Sequence, residues 1–343
     1  MVSQPTAAGQ TYVQPKAAWR VLLAGQDITD RFAPRLISVR VSLWRHEKAD
    51  EVEIRVHDAD GQMALPPNNA SLTIALGWER GTGVPVGLVT MGSFAVDDVT
   101  WEGPPDEVAI KGHSADLRNS YRTRTTRTWT AQSIGAVTTR IASDHGLTLR
   151  CHPDVSTTVI DAAEQENQSD MEFLRDLGRR YDAVATVKGG CLIFSPTDAT
   201  TTATGAALHQ ITLGRQHCKS WSFNRNAREG TYKGAEAHYH DQNGARRVLH
   251  QEGSAPRRRL KRVYGAAAAA QAAARSEHQR LKRAAARFEV TLAQADTRIM
   301  PGMRCNAHGF KREINATTWL IAHVTHEMGP DGLSTRLEME VGG

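Results

Sequence analysis

Alternation restricts the fold of this chain more than any other property. In ISVRVSLW, Ile37, Val39, Val41 and Leu43 alternate with Ser38, Arg40 and Ser42, a period of two that sets one strand face against a core. Val52, Ile54 and Val56 repeat the pattern in DEVEIRVHD, as do Leu72, Ile74 and Leu76 in ASLTIALGW; SFAVDDVTW and EVAIKGHS follow the loop 81–87. Five strands by residue 114 predict a small barrel or sandwich.

The middle of the chain changes period. Ile134, Val137 and Ile141 fall at helical spacing, with Thr130 as the expected N-cap and Gly146 as a left-handed stop. In NQSDMEFLRDLGRRYDA, Ser169 and Glu172 form a Ser-x-x-Glu capping box and acids open the helix. Arg179 and Arg180 close it, and Phe173, Leu174, Leu177 and Tyr181 make its apolar stripe. AVATVKGGCLIF predicts a hairpin turning on Gly189-Gly190, and TDATTTATGAA a linker or long loop. These changes divide the chain into a flexible N-terminus (1–14), a first β domain (15–115), a middle α+β domain (116–214) and a second β domain (215–343) with an Ala-rich helix at about 265–288.

The two β segments echo one another. Gly77-Trp78 corresponds to Gly309-Phe310, Phe94 to Trp319, Val96 to Ile321 and Val99-Thr100 to Val324-Thr325. The Gly-Pro-Pro-Asp turn at 103–106 corresponds to Gly-Pro-Asp at 329–331. Any two β-meanders share aromatic strands and Gly-Pro turns; an ordered series of matches is what a duplication leaves.

Composition limits the chemistry. At 343 residues the chain has room for two or three domains, and 42 Lys+Arg against 37 Asp+Glu permit a polyanionic partner without requiring one. Cys151, Cys191, Cys218 and Cys305 show no CxxC or zinc-knuckle spacing and read as free thiols of a reducing compartment. MVSQPTAAGQTYVQP has no apolar signal core, and no stretch reaches the ~18 apolar residues of a span. A soluble, unexported protein without membrane insertion is expected.

Together these motifs resemble the phage late control protein D family, the baseplate hub of contractile tails. QENQSDMEFLRDLGRRYDA is similar to its Gln-x-Asn-Glu-Ser-Asp-x-x-Phe-Leu-x-x-Leu-Ala-x-Arg-Tyr-Gly signature through Gln165, Asn167, Ser169, Asp170, Phe173, Leu174, Leu177, Arg180 and Tyr181. Gln168, Gly178 and Asp182 depart from it, where the family more often has Glu, Ala and Gly. GSFAVDDVTWEGPPDEVAIKG and WLIAHVTHEMGPDGLSTRLEME extend the likeness from about residue 15 to the end.

The resemblance implies an α+β, mainly β fold, with two tube-like β-barrel modules flanking a smaller α+β domain, as in the base of type VI secretion spike proteins. It implies a structural protein of the virion baseplate, assembled in the host cytoplasm, with no enzyme activity and no cofactor. It further implies a homotrimer that presents approximate six-fold symmetry to a hexameric tail tube protein and three-fold symmetry to a trimeric spike protein, beside other baseplate proteins.

VYGAAAAAQAAARSEHQRLKRAAARFEV, residues 263–290, also invites a nucleic-acid reading. As one helix it puts Ala270, Ala274, Leu281, Ala284, Ala285 and Phe288 on one side, with Arg275, Gln279, Lys282, Arg283 and Arg287 on the other. That pattern predicts a brace with a solvated basic face, and the strand-rich chain shows no helix-turn-helix pattern for a DNA-binding regulator. Basic stretches at 121–129 and 257–262 nominate Arg122, Arg124, Arg127, Arg257, Arg258 and Arg259 for acidic tube or spike surfaces, or for nucleic acid in transit. A cell-wall hydrolase would need a cleft with convergent titratable groups. His323-x-x-His326-Glu327 lies in a strand-like segment where residues three apart face opposite ways; Asp97-Asp98 near Glu102 is only a weak signal of a carboxylate cluster, and His238 and His240 share a strand face without a third nearby ligand.

Overall fold

A computed structural model describes residues 12–45, 48–114, 123–225, 231–241 and 246–342. The first β unit comprises β1 (Lys16–Leu23), β2 (Gln26–Asp27), a short helix α1 (Thr29–Phe32), β3 (Leu36–Trp44), β4 (Glu51–His57), β5 (Ser71–Arg80), β6 (Gly87–Glu102) and β7 (Glu107–Ser114). The alternating residues of β3, β4 and β5 form its core with Phe94, Val96, Val108 and Ile110. Their strands pair antiparallel in the order β3-β4-β7-β6-β5-β1.

The middle unit contains β8 (Arg124–Ser133), α2 (Ile134–Asp144), β9 (Thr148–Cys151), α3 (Pro153–Ser156), β10 (Val159–Ser169), α4 (Asp170–Tyr181), β11 (Ala183–Lys188) and β12 (Cys191–Pro196). It has its own core, in which Ile134, Val137 and Ile141 of α2 meet Phe173, Leu174 and Leu177 of α4. Thr130 does not cap α2, because β8 runs on to residue 133 and Thr130 pairs with Ala162. Ser133 is the cap instead, its hydroxyl accepting the Ala136 N–H at 3.1 Å. The β11–β12 turn has φ of 56° at Gly189 and 72° at Gly190, the left-handed pair a two-residue hairpin requires.

The second β unit holds β13 (Gln210–Gly214), β14 (Cys218–Arg225), β15 (Gly234–Asp241), β16 (Arg246–Gly253), β17 (Arg257–Tyr264), α5 (Ala267–Ala284), β18 (Ala286–Leu292), β19 (Arg304–His308), α6 (Arg312–Asn315), β20 (Thr318–Gly329) and β21 (Gly332–Val341). Phe288, Trp319, Ile321, Val324, Leu337 and Met339 are at the centre of its core. The Ala-rich helix is shorter than the sequence pattern predicts. Phe288, Val290 and Leu292 alternate with Glu289 and Thr291, and β18 pairs on both sides with β14 and β21. Ladder bonds and burial of Phe288 therefore outweigh the helical propensity of the alanines. Between β14 and β18 the chain inserts a sheet ordered β16-β15-β17, on which Ala270 and Ala274 of α5 pack against Ala235 and Ala237. Four alanines let helix and sheet approach closely.

The two β units share one topology. The second pairs as β14-β18-β21-β20-β19-β13, position for position the order of the first; only the last pairing differs, β13–β19 being parallel and β1–β5 antiparallel. Their irregularities coincide too. A bulge between Val96 and Asp98 in β6 answers one between Ile321 and His323 in β20. Another between Leu36 and Ser38 in β3 answers one between Cys218 and Ser220 in β14. Next to β6, Val96 N–H donates to the Ala70 carbonyl and its carbonyl accepts from Asn69; Ile321 makes the same two bonds with Met303 and Gly302. Asn69 and Gly302 both have positive φ.

The fold is mainly β, as expected, but the strand pairing corrects one detail of the two tube-like β-barrel modules: among the described residues neither closes on itself. Among the described residues both units belong to one 13-stranded sheet with an open pairing path, joined where β3 pairs antiparallel with β20. The outer edge of β3, which closure would give to β1, is taken by β20, and β14 stands at the end of the path.

Candidate assembly surface

The signature residues build a strand-to-helix corner. Asn167, at φ 44°, sits where the β10–β8 pairing slips between Gln165 and Gln168. The fully buried Gln165 amide donates to Thr125 Oγ1 (2.9 Å), the Gln168 carbonyl (2.9 Å) and Asp170 Oδ1 (2.8 Å), and its Oε1 accepts from Trp129 Nε1 at 3.4 Å. Asp170 Oδ2 lies 2.7 Å from His145 Nε2 and 3.3 Å from Arg127 Nη2. Ser169 and Glu172 close the capping box, and hydrogen bonds from the Ser169 backbone and hydroxyl hold the Glu172 carboxyl below its usual range. Phe173 stacks near Trp129 at 5.9 Å, and Leu174 and Leu177 are buried. Arg180 and Tyr181 are half-buried at the helix end; burial first, then the Arg262 charge, lowers the Arg180 pKa. The buried polar side chains Gln165, Ser169 and Asp170 all have partners within the corner, so the arrangement holds shape.

The two glycine-related departures from the signature have local reasons. At Gly178 a Cβ would lie 2.5 Å from the Ala183 carbonyl oxygen. Asp182 occupies the left-handed cap at φ 51°, which favours glycine, and its carboxylate takes on a further contact.

That contact belongs to a joint of all three units. Arg283 of α5 is buried, donating to Asp182 Oδ2 at 2.9 Å and lying 3.5 Å from Glu340 of β21. Arg45, at the end of β3, pairs with the same Glu340 and donates to the Thr197 carbonyl at 3.3 Å. Lys188 bonds Asp50 and the Trp44 carbonyl, and Trp44 stacks flat on His323 of β20 at 3.5 Å. The basic face of α5 is thus not wholly solvated as expected: Arg275 and Lys282 are exposed, Arg283 is buried and Arg287 lies on β18. Nothing in the sequence pattern joined Arg45, Asp182, Arg283 and Glu340 to one another, because their pairing spans up to 295 residues.

The candidate basic residues are dispersed rather than gathered. Arg122 lies outside the described residues. Arg124 is exposed on β8, and Arg127 bonds Asp144 at 2.9 Å as well as Asp170. On β17, Arg257 donates to the Gly253 carbonyl, Arg258 pairs with Glu277 of α5 and Arg259 with Glu236 of β15. α5 itself is held between this sheet, α4 and β21.

The other chemical candidates sit apart. His323 meets Glu338 (3.2 Å) and Thr325 (3.3 Å). His326 is fully buried between Thr335 Oγ1 (2.9 Å) and the Ile299 carbonyl (3.3 Å), and burial lowers its pKa to about 4. Asp97 pairs with His113, Asp98 with Lys111 and Glu102 with Arg55. The four cysteines are free thiols; burial pushes Cys305 up to about 12. Among the described residues no group of three His, Cys, Asp or Glu side chains is placed to hold a metal, and no helix is long and apolar enough to cross a membrane.

Known proteins match along the whole of this architecture. The family described as "Phage tail baseplate hub (GPD)" matches residues 51–332. The "Probable baseplate hub protein" of Escherichia phage 186 is 30% identical, across 99% of this chain and 96% of its own length. The 43 kDa tail protein of prophage MuSo2 from Shewanella oneidensis has a similar fold, at a TM-score of 0.68 and 11% identity, over 94% of this chain and 97% of that one. The E. coli c3393 protein, described as a component of the type VI secretion system, aligns at a TM-score of 0.56 and 11% identity, over 96% of this chain and 77% of that one.

Proposed function

Since this chain belongs to the phage tail baseplate hub family, a family of structural proteins rather than enzymes, we propose that it works as a homotrimeric adaptor between a hexameric tail tube and a trimeric central spike. One observation carries the reading: a single chain holds two units that share six strands in the same order, with bulges at equivalent positions. Three copies supply six near-equivalent units to one neighbour and three chains to the other, which converts one symmetry into the other without chemistry. Such an adaptor assembles in the host cytoplasm and ends in the tail baseplate beside other baseplate proteins. The exposed side chains of Arg124, Arg258 and Arg259 suit acidic rims on those partners, since rim charges steer and orient more than they bind. Native mass measurement of the chain with its spike protein tests the reading. A 3:3 complex is expected; a 1:1 complex, or a hub of six chains, contradicts it.

A further inference from the structure

The join between the two units shows how one unit holds the next. At that join β3 lies on the 323–328 part of β20, beside the short stretch of β20 that β19 covers, with His323 opposite Trp44, Thr325 opposite Ser42 and Glu327 opposite Arg40. Arg40 and Glu327 form an ion pair at 3.0 Å across it. The duplication predicts a second join of the same kind, between the equivalent of β20, which is β6, and the equivalent of β3, which is β14. Among the described residues these two segments do not pair within the chain. Among the described residues β5 covers β6 only as far as residue 95 and no strand lies on that side of 98–102, while β14 pairs with β18 alone.

Burial marks both edges as unfinished. Val39 and His326, at the internal join, are fully buried, whereas their counterparts Trp221 and Trp101 are 42% and 59% exposed. An open strand edge carrying an exposed tryptophan invites pairing with another chain. The edges also differ in charge: β6 carries Asp98 and Glu102, β14 carries Lys219 and Arg225. Neither edge is complementary to itself, so the contact joins unlike surfaces of successive copies and propagates around a ring.

We propose that β14 of one copy pairs antiparallel with residues 98–102 of β6 in a second copy, in the register that β3 adopts on β20. That register sets Val99 opposite Arg225, Thr100 opposite Asn224, Trp101 opposite Phe223 and Glu102 opposite Ser222. The Trp101–Phe223 pair supplies the aromatic cross-strand contact, and the ladder satisfies main-chain groups on both edges. The inference rests on the adaptor reading for the number of copies, but not for the strands that meet.

A crosslinking experiment separates the two. Chains carrying Thr100→Cys and chains carrying Asn224→Cys, both with Cys151, Cys191 and Cys218 replaced by Ser, are mixed at high concentration with the spike protein. They are treated with a short bifunctional thiol reagent and mapped by peptide mass, with Ser42→Cys/Thr325→Cys in one chain as the positive control for the same spacing. A 100–224 link between chains in the mixture, absent from either variant alone, is the expected result. Closed assemblies without that link overturn the proposed seam and leave the adaptor reading standing. A chain that stays monomeric overturns both.

Discussion

Replacing Arg283 by Gln tests whether the joint of the three units matters to folding. The guanidinium is buried, with only 7% of its side chain accessible, against 19% for Asp182 and 23% for Glu340. Its loss leaves the Asp182 carboxylate in a largely desolvated place, while Glu340 keeps Arg45. Removing one partner of a fully buried pair costs ~3–5 kcal/mol, and the partial exposure of these carboxylates reduces that to about 2–4 kcal/mol. Arg275→Gln and Lys282→Gln, on the exposed side of the same helix, should stay within ~0.5 kcal/mol of the parent. Urea melts followed by tryptophan fluorescence measure all three. Asp182→Asn in the Arg283→Gln background should recover part of the loss, because it removes the stranded charge and exposes a coupling between the sites. If Arg283→Gln melts with Arg275→Gln, the joint does not hold the units together and α5 is a surface helix after all.

Three further outcomes follow from particular contacts. Ser169→Ala should cost about 0.5–2 kcal/mol through the lost cap, and Phe173→Ala about 3–5 kcal/mol through the cavity left beside Trp129; equal losses in chemical denaturation would show that the corner is not built around that ring. His326 is held neutral by burial, with a folded pKa of about 4 against ~6.5 when unfolded. The unfolded chain therefore binds the extra proton first, and stability present above pH 6.5 falls on acidification towards pH 4 by up to about 3 kcal/mol. Thermal melts across that range should lose this slope in His326→Gln, and an unchanged slope would refute the assignment. Trp101→Lys and Trp221→Lys should each leave the melting temperature within a few degrees of the parent while abolishing self-association in sedimentation; variants that assemble normally would remove both edges from the interface.

What could be read without coordinates was local. The strands from β3 to β7 follow from two-residue alternation, and the α4 corner from Ser169, Glu172 and the apolar stripe, because each pattern is complete within a dozen residues. The run after Ala267 misled at its far end. Alanine and arginine do not stop a helix, so only the long-range partners of Phe288 in β14 and β21 show that a strand begins at Ala286. Thr130 failed as a cap for the same reason: its pairing partner Ala162 lies 32 residues on. Closure of the β units was equally hidden, since the neighbour that keeps β3 from β1 is β20, almost 300 residues away. Nor does the sequence reveal that β14, which carries Trp221 and Phe223, has a strand on one side only among the described residues.

The central claim is that duplication within one chain makes three copies behave as six. Electron cryo-microscopy of the hub assembled with its spike tests it most directly, through the rotational symmetry of each layer. The account predicts three chains per ring, strict three-fold symmetry where the spike attaches, and a strong six-fold component in the layer formed by the β3–β7 and β14–β21 units, repeating at about 60°. A ring of six chains, or three chains whose two β units lie at unrelated radii with no six-fold component, would contradict it.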